Sequence, residues 1–86
     1  MPNVEIIAIG SELLLGETQD TNTFYLLRKL RDLGFDVFRT TLIGDNPKRI
    51  ASTIQESLER SDIVITTGGL GPTVDDPTRD AVAMAF

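Results

Sequence analysis

Two adjacent carboxylates, Asp75 and Asp76, follow three closely spaced glycines, Gly68, Gly69 and Gly71, in the stretch TTGGLGPTVDDPTRD (66–80). Glycine lets the backbone take positive φ and approach a ligand with no Cβ in the way, so successive N–H groups from Thr67 onward can form an anion-holding concavity. A phosphate suits such a nest. The stretch is not a Walker A loop, because no Gly-Lys-Ser/Thr follows. It is not the dinucleotide fingerprint either, because Pro72 and Thr73 break the spacing to a further glycine. Carboxylates beside a bound phosphate repel it unless a cation intervenes, and a hard divalent ion such as Mg²⁺ takes carboxylate, water and phosphate oxygens together. Asp76, with Pro77 behind it, also reads as the N-cap of a helix, whereas Asp75 has no such local reason. Asp45, in GDN (44–46), offers a third carboxylate with the same two readings, cap or ligand. Glu12, Asp20 and Asn22 follow the first strand and are further polar candidates, although each taken alone reads sooner as a solvated loop residue or a helix cap. Arg79 can meet a phosphate or pair with Asp75 or Asp76.

These residues need elements to hold them. VEIIAI (4–9), closed by Gly10, is the nearly continuous β-favouring run expected of a strand buried on both faces of a parallel sheet. A helix is expected from Thr21 or Asn22, with Phe24, Leu26, Leu27, Leu30 and Leu33 forming one apolar stripe before Gly34 stops it. FDVFRTTLI (35–43) reads as a second strand, nearer an edge because Asp36 and Arg39 interrupt it. Asp45 or Asn46 then caps a helix that opens at Pro47, buries Ile50, Ala51, Ile54 and Leu58, and ends near Arg60. DIVITT (62–67) is the third strand, and a third helix is expected from Asp76 and Pro77. Leu13, Leu14 and Leu15 are expected to pack inside. The order β-α-β-α-β-loop-α predicts right-handed parallel crossovers and an α/β layered fold. Its three polar segments GSELLLGETQD, GDN and TGGLGPTVDD each follow a strand, so they gather at the carboxyl edge, where open α/β sheets bind ligands.

Composition narrows the chemistry. The 86 residues are 41% hydrophobic and 24% charged, as in one globular domain. With DAVAMAF (80–86) reading as a helix just begun, that domain is expected to be truncated. A net charge of −5 and no basic cluster argue against nucleic acid and anionic membranes as partners. No apolar run approaches the roughly 20 residues that span a bilayer, and no signal peptide precedes Val4, so a cytoplasmic protein is expected. With no Cys and no His, any acid, base or metal ligand here is oxygen-based.

IGSELLLGETQDTN (9–22), IGDN (43–46) and TTGGLGPTVDDPT (66–78) together resemble the N-terminal domain of the competence-damage-inducible CinA proteins, within the molybdopterin-binding superfamily of MoaB, MogA and gephyrin. The likeness covers essentially the whole chain, and GLGPT.DD.T is closer to the CinA branch than to MogA. It implies a three-layer α/β/α fold whose sheet is mixed in the full domain, residues 1–86 supplying its N-terminal half. It also implies a phosphate pocket: Thr67, Gly68, Gly69 and Gly71 match the family's phosphate-holding TGG loop, Asp76 its essential aspartate, Asp45 its second acidic position and Thr78 a threonine near the loop. In the molybdenum-cofactor enzymes these positions serve molybdopterin adenylylation. In CinA-type domains the similar site is associated with metal-dependent hydrolysis of the ADP-ribose pyrophosphate bond, often beside a C-terminal nicotinamide-mononucleotide deamidase domain to which nothing here corresponds. Family members often self-associate. Three functions therefore stand open: a pyrophosphatase in which Asp45, Asp75 and Asp76 hold Mg²⁺ or a similar ion, a module binding molybdopterin or a nucleotide without turnover, and an inert scaffold.

Overall fold

The computed structural model describes residues 2–17 and 19–68. In chain order the elements are β1 (Asn3–Ile9), α1 (Ser11–Leu14), α2 (Thr21–Asp32), β2 (Asp36–Ile43), α3 (Pro47–Arg60) and β3 (Ile63–Thr67). The strands form one parallel sheet in the order β2-β1-β3. The first strand of the sequence is thus the middle strand of the sheet. That is why, Glu5 apart, it reads as Val, Ile and Ala from residue 4 to residue 9: Val4 and Ile6 on one face and Ile7 and Ile9 on the other are at most 1% exposed.

Ile7 and Ile9 form a core with Ile50, Ala51 and Ile54 of α3, joined by Ile43 of β2 and Val64 of β3. Asn46 caps α3, its Oδ1 accepting from the N–H groups of Lys48 (3.0 Å) and Arg49 (3.2 Å), and Pro47 fills the first helical position. Leu58, expected on the buried face of this helix, is instead 40% exposed, and Ser57 points inward. The reason lies beneath it: Ser57 Oγ donates to Glu5 Oε1 at 3.4 Å, so the floor there is a carboxylate and not an aliphatic side chain. Glu5, itself buried, also accepts from Arg60 Nε (3.0 Å) and Nη2 (2.8 Å) and from Ser61 Oγ. Burial works to raise the Glu5 carboxyl, but the hydrogen bonds from Arg60 and Ser61 and the positive charges of Arg60 and Arg39 together outweigh it and hold it below the usual carboxylate range.

The step from β1 to β2 and the step from β2 to β3 run in opposite directions across the sheet, so right-handed crossovers place α2 and α3 on opposite faces. Accordingly Val37, in register with Val4, lines a groove with Phe24 and Leu27 of α2. The expected stripe of α2 is only partly covered: Leu26, Leu27 and Leu30 are half-buried, while Phe24 and Leu33 are exposed. Gly34, at φ 86, ends the helix, with Gly34 N–H donating to Arg31 O and Phe35 N–H to Leu30 O. The helix expected from Asp76 and Pro77 lies outside the described residues.

Candidate functional site

Because all three strands are parallel, their carboxyl ends share one rim, and each ends on a glycine there: Gly10, Gly44 and Gly68. Gly10 N–H donates to Ile43 O at 3.0 Å, extending the β1–β2 pairing to the rim itself. Directly behind Gly10 the chain turns into α1, a four-residue helix where the sequence reading placed a loop. One turn of helix is too short to give a periodic signal, and isolated helices of this length are not stable on their own. Its support comes from elsewhere. Gly10 has no side chain to cap the helix, and Asp45 Oδ1, from the segment after β2, accepts from Ser11 N–H at 3.1 Å. Leu14 and Leu15, expected to pack inside, are 55% and 72% exposed, because so short a helix can turn few of three consecutive leucines inward.

Glu12 of α1, Asn22 at the start of α2, and Thr67 and Gly68 at the end of β3 line one pocket of about 220 Å³, with Ile9, Leu13 and Asp20 around them. The Glu12 carboxylate folds back over Gly10: a Cβ there would stand 2.7 Å from Glu12 Oε1. Asp20 is the N-cap of α2, its Oδ1 accepting from Thr23 N–H at 3.1 Å. Gly68 has φ 79, and a Cβ on it would fall well inside van der Waals contact distance of the Ile9 carbonyl oxygen. Gly68, directly after β3, is therefore pressed against the end of the central strand.

Five of the residues proposed from sequence, Glu12, Asp20, Asn22, Thr67 and Gly68, thus meet in one hollow, although they come from three segments of the chain. Asp45 is on the same rim but not in that lining. Gly69, Gly71, Asp75, Asp76, Thr78 and Arg79 lie outside the described residues. Among the described residues no three acidic side chains are grouped closely enough to hold a metal ion. Sequence reasoning missed the Asp45–Ser11 bond. The only signal for it was a capping residue too many: GDN offers both Asp45 and Asn46, and α3 uses Asn46 alone. Larger hollows of about 610 and 490 Å³ lie between α2 and β2 and beside the start of α3. Neither contains a glycine turn together with acidic side chains. No helix among the described residues is long and apolar enough to cross a membrane.

Comparison with known proteins places this arrangement in context. A family model described as "Probable molybdopterin binding domain" matches residues 5–86. A competence-damage inducible protein of Finegoldia magna is 57% identical over 76 residues, 88% of this chain and 18% of that protein. The crystal structure of the protein CinA from Thermoplasma acidophilum superposes with a TM-score of 0.90 at 36% identity, covering 96% of this chain and 51% of that one. The molybdopterin biosynthesis enzyme MoaB from Thermus thermophilus superposes with a TM-score of 0.87 at 28% identity, over 98% and 54% of the two chains. The chain thus spans about a fifth of the curated relative's length and about half that of the solved neighbours.

Proposed function

The chain belongs to the molybdopterin-binding domain family, and from that premise we propose that it binds a phosphorylated small molecule, a nucleotide pyrophosphate or molybdopterin, at the carboxyl rim of its sheet. The observation that carries this reading is the Thr67–Gly68 turn, held at positive φ against Ile9 O and facing Glu12 and Asn22 across one pocket. Backbone N–H groups of Gly69 and Gly71 take phosphate oxygens, Thr78 adds a hydroxyl, and Asn22 and Glu12 contact the remainder of the ligand. The donors on this rim are all oxygen, which suits Mg²⁺ or a similar hard ion. Asp75 and Asp76 would hold it, while Asp45 is engaged by Ser11 N–H through Oδ1. Such an ion neutralises charge on the pyrophosphate.

The finer reading is hydrolysis of ADP-ribose in the cytoplasm. Water adds to one phosphorus, the bridging P–O bond breaks, and AMP and ribose 5-phosphate leave. This chain's own part in it is to fix the pyrophosphate against the glycine turn, with Asp76 as the proposed catalytic carboxylate. Binding without turnover, in molybdenum-cofactor chemistry, is the second reading, and the close superposition on MoaB favours it. Calorimetry with ADP-ribose, AMP and molybdopterin, with and without Mg²⁺, decides between them. We expect binding that weakens sharply in Asp76→Asn. ADP-ribose consumed to AMP establishes the hydrolase, tight binding with no product by chromatography establishes the module, and no binding of any of the three rejects both.

A further inference from the structure

We infer that Asp45 is a positioning residue: its carboxylate clamps the Gly10–Ser11 corner from across the rim and thereby sets Glu12 in the ligand pocket. The inference rests on the ligand pocket proposed above but assigns Asp45 a task that pocket alone does not. Three observations converge on it. Asp45 Oδ1 accepts from Ser11 N–H at 3.1 Å, linking segments 34 residues apart in sequence. The helix begun by Ser11 has four residues and no cap of its own, because Gly10 stands at the N-cap position. The adjoining Gly44 lies against the same helix, where a Cβ would be 3.5 Å from Leu14 Cδ2 and 3.7 Å from Ser11 Oγ.

A bond to the first amide of a single helical turn has leverage that it would not have on a long helix. With one turn there is little cooperative structure to hold the first residues if the cap is lost. Glu12 is the next residue, and its carboxylate lies over Gly10 and at the pocket. Releasing Ser11 N–H frees the Gly10–Ser11 corner to rotate and carries Glu12 with it. A carboxylate oxygen serves this bond, and so does an amide oxygen: the Oδ1 of asparagine accepts in the same place. A cation-holding role is different, since it depends on the negative charge that asparagine lacks.

The test compares Asp45→Ala with Asp45→Asn in the full chain. Titration of ADP-ribose in the presence and absence of Mg²⁺ is expected to show about fivefold weaker binding for Asp45→Ala, the loss of one cap, and recovery of most of that loss in Asp45→Asn. In parallel, the backbone amide resonances of Ser11 and Glu12 are expected to move in Asp45→Ala and to return close to their wild-type positions in Asp45→Asn. Equal weakening by both variants, confined to samples with Mg²⁺, would overturn the clamp in favour of a cation ligand. Unchanged Ser11 and Glu12 resonances in Asp45→Ala would also overturn it. If the wild-type chain binds no ADP-ribose, the ligand reading falls, and the resonance comparison alone upholds or overturns the clamp.

Discussion

Gly68 shows most directly how one residue's chemistry is fixed by its surroundings. Its φ of 79 is open to few L side chains, and the Ile9 carbonyl occupies the place where a Cβ would go. Since the obstacle is backbone of the central strand, it cannot swing aside as a flexible side chain could. Gly68→Ala is therefore expected to shift the turn away from β1, removing ADP-ribose or molybdopterin binding in calorimetry. The far-UV spectrum, which reports the helices and sheet, should be retained. Binding at wild-type strength in this variant would show that the turn is not the cradle. The need for glycine here was legible in TTGGLG, because a glycine pair behind a β-branched run announces a turn. What the glycine avoids was not legible, since Ile9 is 59 positions earlier. Asp45 teaches the same lesson from the polar side: the letter D after IG says cap or ligand, and the atom it caps belongs to another segment.

Among the elements, α3 was the most readable and α1 the least, and length explains both. Over 14 residues the 3.6-residue period places Ile50, Ala51 and Ile54 on one face, with Asn46 and Pro47 marking the start. Four residues of α1 hold hardly more than one turn, and no period can be read from that. Even in α3 the sequence reading put Leu58 inside, because an aliphatic residue at i+4 from Ile54 fits the stripe as well as Ser57 at i+3. The tie is broken by Glu5, to which Ser57 donates. The two positions should respond very differently to truncation. Ile54→Ala removes a fully packed side chain and is expected to cost about 2–5 kcal/mol. Leu58→Ala is expected to stay within about 0.5 kcal/mol, as exposed substitutions do. Urea unfolding of the two variants checks the ordering, and an equal loss at both would mean that α3 is rotated from the orientation described. Strand β2 shows a further feature that pattern alone hides. The register passes from Val4↔Val37 to Glu5↔Arg39, so Phe38 is an extra residue in a bulge. Bulges and charges on a flanking strand discourage pairing with foreign strands.

For the molecule as a whole, the decisive fact is that β2 and β3 flank β1. This puts the segments after all three strands on one rim and leaves the Glu5 cluster toward the other end of the sheet. Arg60, 55 residues from Glu5 in sequence, closes α3 onto the central strand through two hydrogen bonds to one carboxylate. Glu5 is held below its ordinary value in the folded chain, so the folded state binds fewer protons here than the unfolded state does as acid is added. The stabilisation is therefore complete above the unfolded value of about 4.3 and is lost as pH falls from there through the folded value. Thermal melts from pH 7 to 3 should show this acid-side loss, and Glu5→Gln should flatten it. An identical acid limb in that variant would show that other carboxylates govern the transition. The sequence alone determined the alternation of strands and helices, the central strand's burial, and the glycine-and-acid character of the segments behind each strand, because all of these follow from local period and residue type. Only the tertiary structure decided which carboxylate meets which amide. That choice depends on strand order and on which faces the crossovers cover, and neither is written in any one stretch of the chain.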